Sequence, residues 1–451
     1  MNLDFRASGE AGVFSNMPNL ETIDLSNLKS DSADVLTANI TGLNGLIFNN
    51  SPKLANITIA GPIPTIPAYA FKGCTGLQNV DFTQLPNITT IGRGAFQNTT
   101  IETVDLSACK KLTTIDQDAF RDANVKLLDL SACEALTTIN RNAFTGIALN
   151  AETPLKLTLP ATLVTIDNNA FYGSNITELV FPENSALQTI GSDSFRNSKL
   201  TKLDFTNCAS LRSIGNNTFQ GTSKLTSLKF ADNSNVSLGS GLFQGSGLTT
   251  ADLSNTAMTS LSNQLFKDCA SLVDLKLPNT INTIGVEALR GTSSLTKLDL
   301  SNITSNRLTL NNNAFYGSGF VEIKTSDATG DSSGTIDGLI FGKNKEIIIG
   351  NYVFSSMPKL TKVVFESTST TNSTNGTMSP VQNMFDSSAQ LATIDLSKCQ
   401  LPIVGQNGNN GESTACFRGT AVKEIKIGNY KNAEVVEGQL LLADNISTIK
   451  N

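Results

Sequence analysis

The segment Ile91-Gly92-Arg93-Gly94-Ala95-Phe96 ends in a phenylalanine that returns about every 24 residues along the chain. The later copies, at steps of 24, 24, 27, 24, 24, 24 and 23 residues, are Phe120, Phe144, Phe171, Phe195, Phe219, Phe243 and Phe266. A fixed period of this length predicts a solenoid, because one short coil cannot bury its apolar face alone and must stack on its neighbours. Function is then expected on the exposed faces of the stack.

Two apolar signatures alternate within each period. The first, Leu-x-x-Leu-x-Leu, ends in an in–out alternation that is typical of a half-buried strand, as in Leu200/Leu203/Phe205. The second, Leu-x-x-Ile followed by the phenylalanine, predicts a short extended segment on the opposite wall and then a helical turn that points the ring inward. The glycines that follow the phenylalanine predict a left-handed cap; they are Gly73, Gly146, Gly173, Gly221, Gly245, Gly291 and Gly317.

The stretch 277–300, LPNTINTIGVEALRGTSSLTKLDL, resembles the repeat of BspA-like leucine-rich-repeat proteins, and so does 159–173. The resemblance covers most of the chain and is clearest over 54–315. It implies a β-rich, right-handed leucine-rich-repeat solenoid of the α/β horseshoe type. Its parallel sheet would lie on the concave face, with short strands or helical turns on the convex side. It also implies a surface or secreted protein of host-associated bacteria or parasitic protists, and for some members adhesion to matrix proteins such as fibronectin and fibrinogen.

The repeat predicts one leucine-rich-repeat solenoid over residues 1–451. We expect irregular coils over 1–53, regular coils of 23–27 residues over 54–324, irregular coils with insertions over 325–430, and a C-terminal cap over 431–451. Leu289 takes the place of the phenylalanine in one coil. Composition predicts three loops, at 326–344, 367–380 and 406–413. Either these loops form a binding face, or their sequences have drifted without any function.

Composition excludes several classes of function. The chain has no histidine, which removes the commonest general base and metal ligand, and 33 basic against 39 acidic residues with no basic run argue against nucleic acid. No apolar run is long enough to span a membrane. The seven cysteines include no Cys-x-x-Cys pair, so we interpret them as buried side chains at coil corners. No cofactor is predicted, and nothing in the sequence specifies an oligomeric state.

The chain begins inside a coil, since Leu3-Asp4-Phe5 is similar to Leu203-Asp204-Phe205, and residues 1–6 lack the basic start and apolar stretch of a signal peptide. We therefore expect a targeting segment upstream, and a location at the cell surface or outside the cell.

The outward position between the last two apolar residues of each strand forms a row of side chains along the sheet. From Asp204 to Lys324 the sign of charge in this row alternates from coil to coil, which predicts a self-neutralising ladder. Asp81, Asp105 and Asp129 instead place like charges on adjacent coils. Their carboxylates either point apart into water or bind a cation, which would be Ca²⁺ or a basic partner surface.

These observations predict a non-catalytic cell-surface or secreted scaffold that adheres to a host extracellular-matrix protein or glycan. The alternatives are a structural surface-layer protein without a specific ligand and a carbohydrate-active enzyme on a stacked-coil fold. The lack of histidine and of a distinctive acid–base cluster argues against the enzyme.

Overall fold

The computed structural model describes residues 14–25, 48–59, 63–147, 154–232, 235–326, 338–342, 346–372, 383–400, 417–427 and 448–450. The chain forms two compact units, Met1–Leu225 and Thr226–Asn451. Each unit is built from short parallel strands, as the predicted β-rich leucine-rich-repeat solenoid requires, and that fold class is confirmed. The single solenoid over 1–451 stays a prediction.

Unit 1 contains fourteen described strands and one short 3₁₀ helix, η1, at Phe82–Gln84. The strands are β1 Thr22–Leu25, β2 Asn56–Ile59, β3 Thr65–Ile66, β4 Thr90–Ile91, β5 Thr103–Asp105, β6 Thr114–Ile115, β7 Leu127–Asp129, β8 Thr138–Ile139, β9 Leu155–Thr158, β10 Thr165–Ile166, β11 Ile176–Val180, β12 Thr189–Ile190, β13 Lys202–Phe205 and β14 Ser213–Ile214. Strands from the Leu-x-x-Leu-x-Leu signature are called front strands, and those from the Leu-x-x-Ile signature are called back strands.

The back strands β3, β4, β6, β8, β10, β12 and β14 pair in this order as a parallel sheet. Their register is uniform, so Thr114 lies opposite Thr90 and Ile115 lies opposite Ile91. The isoleucine of each pair is buried and the threonine is half-exposed. Front strands pair in parallel as β1–β2, β5–β7 and β9–β11, and an isolated bridge joins Asn79 to Thr103.

The segment around each phenylalanine is a run of turns, so the predicted helical turn is wrong. Asp118 and Asp122 both have positive φ, at 58° and 55°, and a left-handed residue on each side of Phe120 breaks any helix. Alternate amides reach the next coil instead, with Phe120 N donating to Ala143 O at 2.7 Å and Asp122 N donating to Thr145 O at 2.8 Å. The predicted left-handed glycine caps are confirmed, with φ between 64° and 75° at all seven positions.

The phenylalanine rings stack face to face through unit 1. Successive centroids lie 5.1 Å apart for Phe96–Phe120, 5.2 Å for Phe120–Phe144 and 5.3 Å for Phe144–Phe171, with interplanar angles of at most 9°. Each of these rings is fully buried. Every ring is therefore covered on both faces by the neighbouring coils, as the period predicts.

Unit 2 contains fifteen described strands. They are β15 Ser227–Phe230, β16 Ser237–Leu238, β17 Thr250–Asp252, β18 Ser260–Leu261, β19 Asp274–Lys276, β20 Thr283–Ile284, β21 Lys297–Leu300, β22 Arg307–Leu310, β23 Glu322–Ser326, β24 Gly338–Gly342, β25 Glu346–Ile349, β26 Lys362–Asn372, β27 Thr393–Gln400, β28 Glu424–Ile427 and β29 Thr448–Lys450. Leu289 is fully buried, as a substitute for the phenylalanine must be.

One strand of unit 2 is out of sequence order. Strand β24 pairs with β21 on one side and with β23 on the other, so Ile340 lies between Asp299 and Lys324. The predicted charge alternation between Asp299 and Lys324 is therefore wrong. The loop assignment of 326–344 is wrong for residues 338–342, because their Gly-Leu-Ile-Phe-Gly sequence is apolar and all five residues are buried.

The second predicted loop, 367–380, is a strand over its first part, because β26 continues to Asn372. The first half of β26 pairs with β23, which is joined through β24 to the front strand β21. Its second half pairs with β25, which is joined through β22 to the back strand β20, so β26 connects the front strands to the back strands. The third insertion, 406–413, lies outside the described residues. Of the predicted cap over 431–451, the described part is β29, which pairs with β28.

We expect Phe120→Ala to lower the free energy of unfolding by about 3–5 kcal/mol, because it removes a fully buried ring that two neighbours cover. Phe120→Leu should cost clearly less, since leucine already fills this position at Leu289. Urea denaturation followed by circular dichroism measures both. Equal losses for the two variants would contradict the stacking argument.

Candidate functional site

The acidic row, defined as Asp81, Asp105 and Asp129, lies on the front of unit 1. Asp105 and Asp129 are direct partners across the β5–β7 pair. Asp81 lies two residues after Asn79, which bridges to Thr103, and its side chain caps the start of η1. The structure therefore places Asp105 and Asp129 on neighbouring strands, about 4.8 Å apart along the stacking direction, with Asp81 one coil further.

Each carboxylate of the acidic row also caps the turn that follows it. The carboxylate oxygen accepts a hydrogen bond from the backbone amide two residues later, at 3.0 Å for Asp81, 3.0 Å for Asp105 and 2.8 Å for Asp129. The hydroxyl and the amide of Ser107 hold the pKa of Asp105 below its usual range. This local role explains the recurring Asp-x-Ser and Asp-x-Thr pattern, which the charge of the aspartates alone does not predict.

The same turn is found outside the acidic row. Asp204, Asp252 and Asp299 accept from the amide two residues on at 3.0, 3.0 and 2.8 Å. In unit 2, Asp252 lies between Lys229 and Lys276, and Lys276 Nζ is 3.6 Å from its carboxylate. Burial acts to raise the pKa of Asp252, but hydrogen bonds from Ser254 and the charge of Lys276 outweigh it and lower the pKa. The predicted charge ladder is confirmed for this stretch.

The lysine that directly precedes β7, Lys126, is paired with a glutamate. Lys126 Nζ lies 2.5 Å from Glu102 Oε1, so this lysine pairs with a glutamate and leaves the two aspartates without a counter-charge from it. Beside them, Leu127 lies opposite Thr103 and is 58% exposed. The front of unit 1 thus combines two like charges on adjacent strands with an exposed leucine.

No group of three or more histidine, cysteine, aspartate or glutamate side chains within the described ranges could hold a metal ion. The calcium site at the acidic row stays a prediction. None of the helices described is long and apolar enough to cross a membrane.

The five cysteines whose side chains are described are all buried and free, as predicted for coil corners. Burial raises the pKa of Cys74, Cys109 and Cys269 to about 11, and that of Cys133 and Cys208 to about 12. Thiols with such pKa values are protonated at neutral pH and therefore unreactive.

We expect Asp105→Ala to lower the free energy of unfolding by about 0.5–1.5 kcal/mol, because the amide of Ser107 loses its acceptor. Asp105→Asn should remain within about 0.5 kcal/mol of the parent chain, since an amide oxygen can accept the same bond. Thermal and urea unfolding measure both variants. A loss in the asparagine variant as large as in the alanine variant would show that the charge, and not the turn, carries the effect.

A family model for the BspA type leucine rich repeat region, in six copies, matches residues 41–153, 137–235 and 188–322. No curated protein sequence matches the chain. Among solved structures, a leucine-rich repeat protein from Bacteroides ovatus is 16% identical with a TM-score of 0.47, and the match covers 88% of this chain and 84% of that one. A leucine rich cell surface protein from Faecalibacterium prausnitzii is 18% identical with a TM-score of 0.30, covering 69% and 79% of the two chains.

The pneumococcal vaccine antigen PcpA is 20% identical with a TM-score of 0.27, over 57% of this chain and 79% of that one. Similarities at these levels of identity concern the fold alone. The family model, in contrast, spans more than half of this chain, from residue 41 to residue 322. The protein therefore belongs to the BspA-type leucine-rich-repeat family.

Proposed function

We propose that this protein is a non-catalytic binding scaffold at the cell surface or outside the cell, and that the front of unit 1 holds a basic segment of a host extracellular-matrix protein. The observation that carries the proposal is the acidic row beside Leu127. Asp105 and Asp129 face each other with like charge, and a partner lysine or arginine between them would remove that repulsion.

An exposed leucine next to the carboxylates supplies the apolar part of such a contact. Leu127 is 58% exposed on a strand whose neighbouring position, Leu128, is buried in the core. Burying a leucine of this exposure against a partner contributes on the order of 1 kcal/mol. A partner segment that alternates basic and apolar side chains would match both the aspartates and Leu127.

The chemistry of the described carboxylates supports a scaffold more than an enzyme. The carboxylates of the acidic row accept hydrogen bonds from their own turns, and Glu102 is paired with Lys126. The sequence holds no histidine to act as a general base. A structural surface-layer role remains the alternative function, and it requires no ligand at the front of unit 1.

The test is binding of the whole chain to immobilised fibronectin and fibrinogen, measured by surface plasmon resonance. Asp105→Asn/Asp129→Asn keeps both turns and removes both charges, so we expect it to weaken binding about tenfold or more. Leu127→Ser should weaken it as well. The matched control is Asp204→Asn/Asp299→Asn, which removes two charges from the same kind of turn elsewhere.

Equal weakening by the control pair would mean that net charge, and not the acidic row, attracts the partner. No binding by the parent chain across matrix proteins and glycans would favour the structural role.

Calcium is the other cation that the acidic row would attract. We expect EDTA to leave the melting temperature unchanged, because the proposed partner of Asp105 and Asp129 is a basic segment and not calcium. Differential scanning calorimetry with EDTA and with added calcium measures this. A fall with EDTA that disappears in Asp105→Asn/Asp129→Asn would assign the acidic row to calcium instead.

A further inference from the structure

A second surface feature of unit 1 lies at the corner where each coil passes from the phenylalanine turn to its front strand. An open cavity of about 500 Å³ is lined there by residues of four successive coils. Thr75, Asn98, Asp122 and Gly146 each belong to a different coil, so the cavity is a groove along the stacking direction. We call it the corner groove.

Side chains of different size line the corner groove. Gly146 is the regular capping glycine of the repeat, whereas Asn98 and Asp122 hold that position in the two preceding coils. Ala123 lines the groove at the position where the preceding coil has Thr99. The groove therefore has polar side chains at one end and open backbone at the other.

The polar atoms of the groove divide into those that the fold uses and those that face outward. The hydroxyls of Thr99 and Thr100 donate to backbone carbonyls at 2.9 Å and are occupied. The side chains of Asn98 and Asp122 are exposed at the rim. One carboxylate oxygen of Asp122 lies 3.4 Å from Arg121 Nε, and Asn124 Nδ2 donates to Glu102 Oε1 at 3.5 Å. An amide offers donors and an acceptor, and a carboxylate accepts from two hydroxyls at once.

The charge and the shape of the groove narrow the class of ligand. Its lining carries one carboxylate, Asp122, and one ammonium, Lys126, so it favours neither a strong anion nor a strong cation. Its lining has no aromatic ring on which a flat ligand could stack, and polar and apolar surface contribute about equally, as an amphipathic ligand requires. A ligand that is uncharged, rich in hydroxyls and extended over several coil spacings matches these features.

We propose that the corner groove binds a neutral oligosaccharide, with Asn98 and Asp122 hydrogen-bonded to sugar hydroxyls. This inference goes beyond the protein contact at the acidic row. A glycoprotein could present both ligands, with its basic segment on the front strands and its glycan in the groove.

The test titrates the whole chain with three free trisaccharides, cellotriose, maltotriose and chitotriose, by isothermal calorimetry and by saturation-transfer NMR. We expect at least one of them to bind. Asn98→Ala and Asp122→Ala should each weaken that binding about tenfold, since each removes a group that contacts hydroxyls.

The matched control is Asn197→Ala. Asn197 has φ 59°, against 56° for Asn98 and 55° for Asp122, and it occupies the same place in a later coil outside the groove. The backbone strain of alanine is therefore the same in all three variants, and melting temperatures check that it is. The control should bind like the parent chain.

Failure of all three trisaccharides to bind, or binding that Asn98→Ala and Asp122→Ala leave unchanged, would overturn the proposal. So would equal weakening in Asn197→Ala. Because the titration uses free sugars and no protein partner, its outcome is independent of the test at the acidic row.

Discussion

The structure depends on the stacking of one coil on the next. A single coil has a buried phenylalanine with two apolar faces, and only its neighbours can cover them. Centroid separations of 5.1–5.3 Å from Phe96 to Phe171 are close to the spacing of parallel strands, so rings and backbone stack in step. The same contacts satisfy the backbone, because the amide of each ring residue donates to the next coil.

Because the coils repeat, each surface position forms a row of side chains along the stack. Charged side chains in such a row can repel each other, which a single coil would not show. An aspartate at the end of a front strand is favourable within its own coil, since its carboxylate accepts the amide two residues on. When the same residue recurs in the next coil, the like charges of Asp105 and Asp129 face each other. Unit 2 resolves this conflict with lysines, as Lys276 beside Asp252 shows. Unit 1 leaves it open at Asp105 and Asp129.

The irregular parts of the chain distinguish it from a regular repeat. Strand β24 stands between two strands that precede it in the sequence, and it separates Asp299 from Lys324 with a buried isoleucine. In unit 1, Asn98 and Asp122 take the place of the capping glycine in two successive coils and line a groove across four coils. Regular coils thus supply the scaffold, and small departures from the repeat supply distinct surfaces on which ligands can be discriminated.

The sequence by itself determined the repeat, the inward phenylalanines, the left-handed glycine caps and the burial of the five cysteines whose side chains are described. All of these features are local or periodic, so they can be predicted from the spacing of residues in the sequence. It also located the acidic row, because strand alternation decides which residues point outward. The turns around Phe120 are not evident from the sequence, because the residues with positive φ there are aspartates such as Asp118 and not glycines.

Only the tertiary structure decided the place of β24, the pairing of Lys126 with Glu102, and the corner groove. Each of these depends on which coils become neighbours and on the space left between their side chains. Competition among long-range contacts decides which strands pair out of sequence order. The local repeat of the sequence therefore cannot predict that pairing.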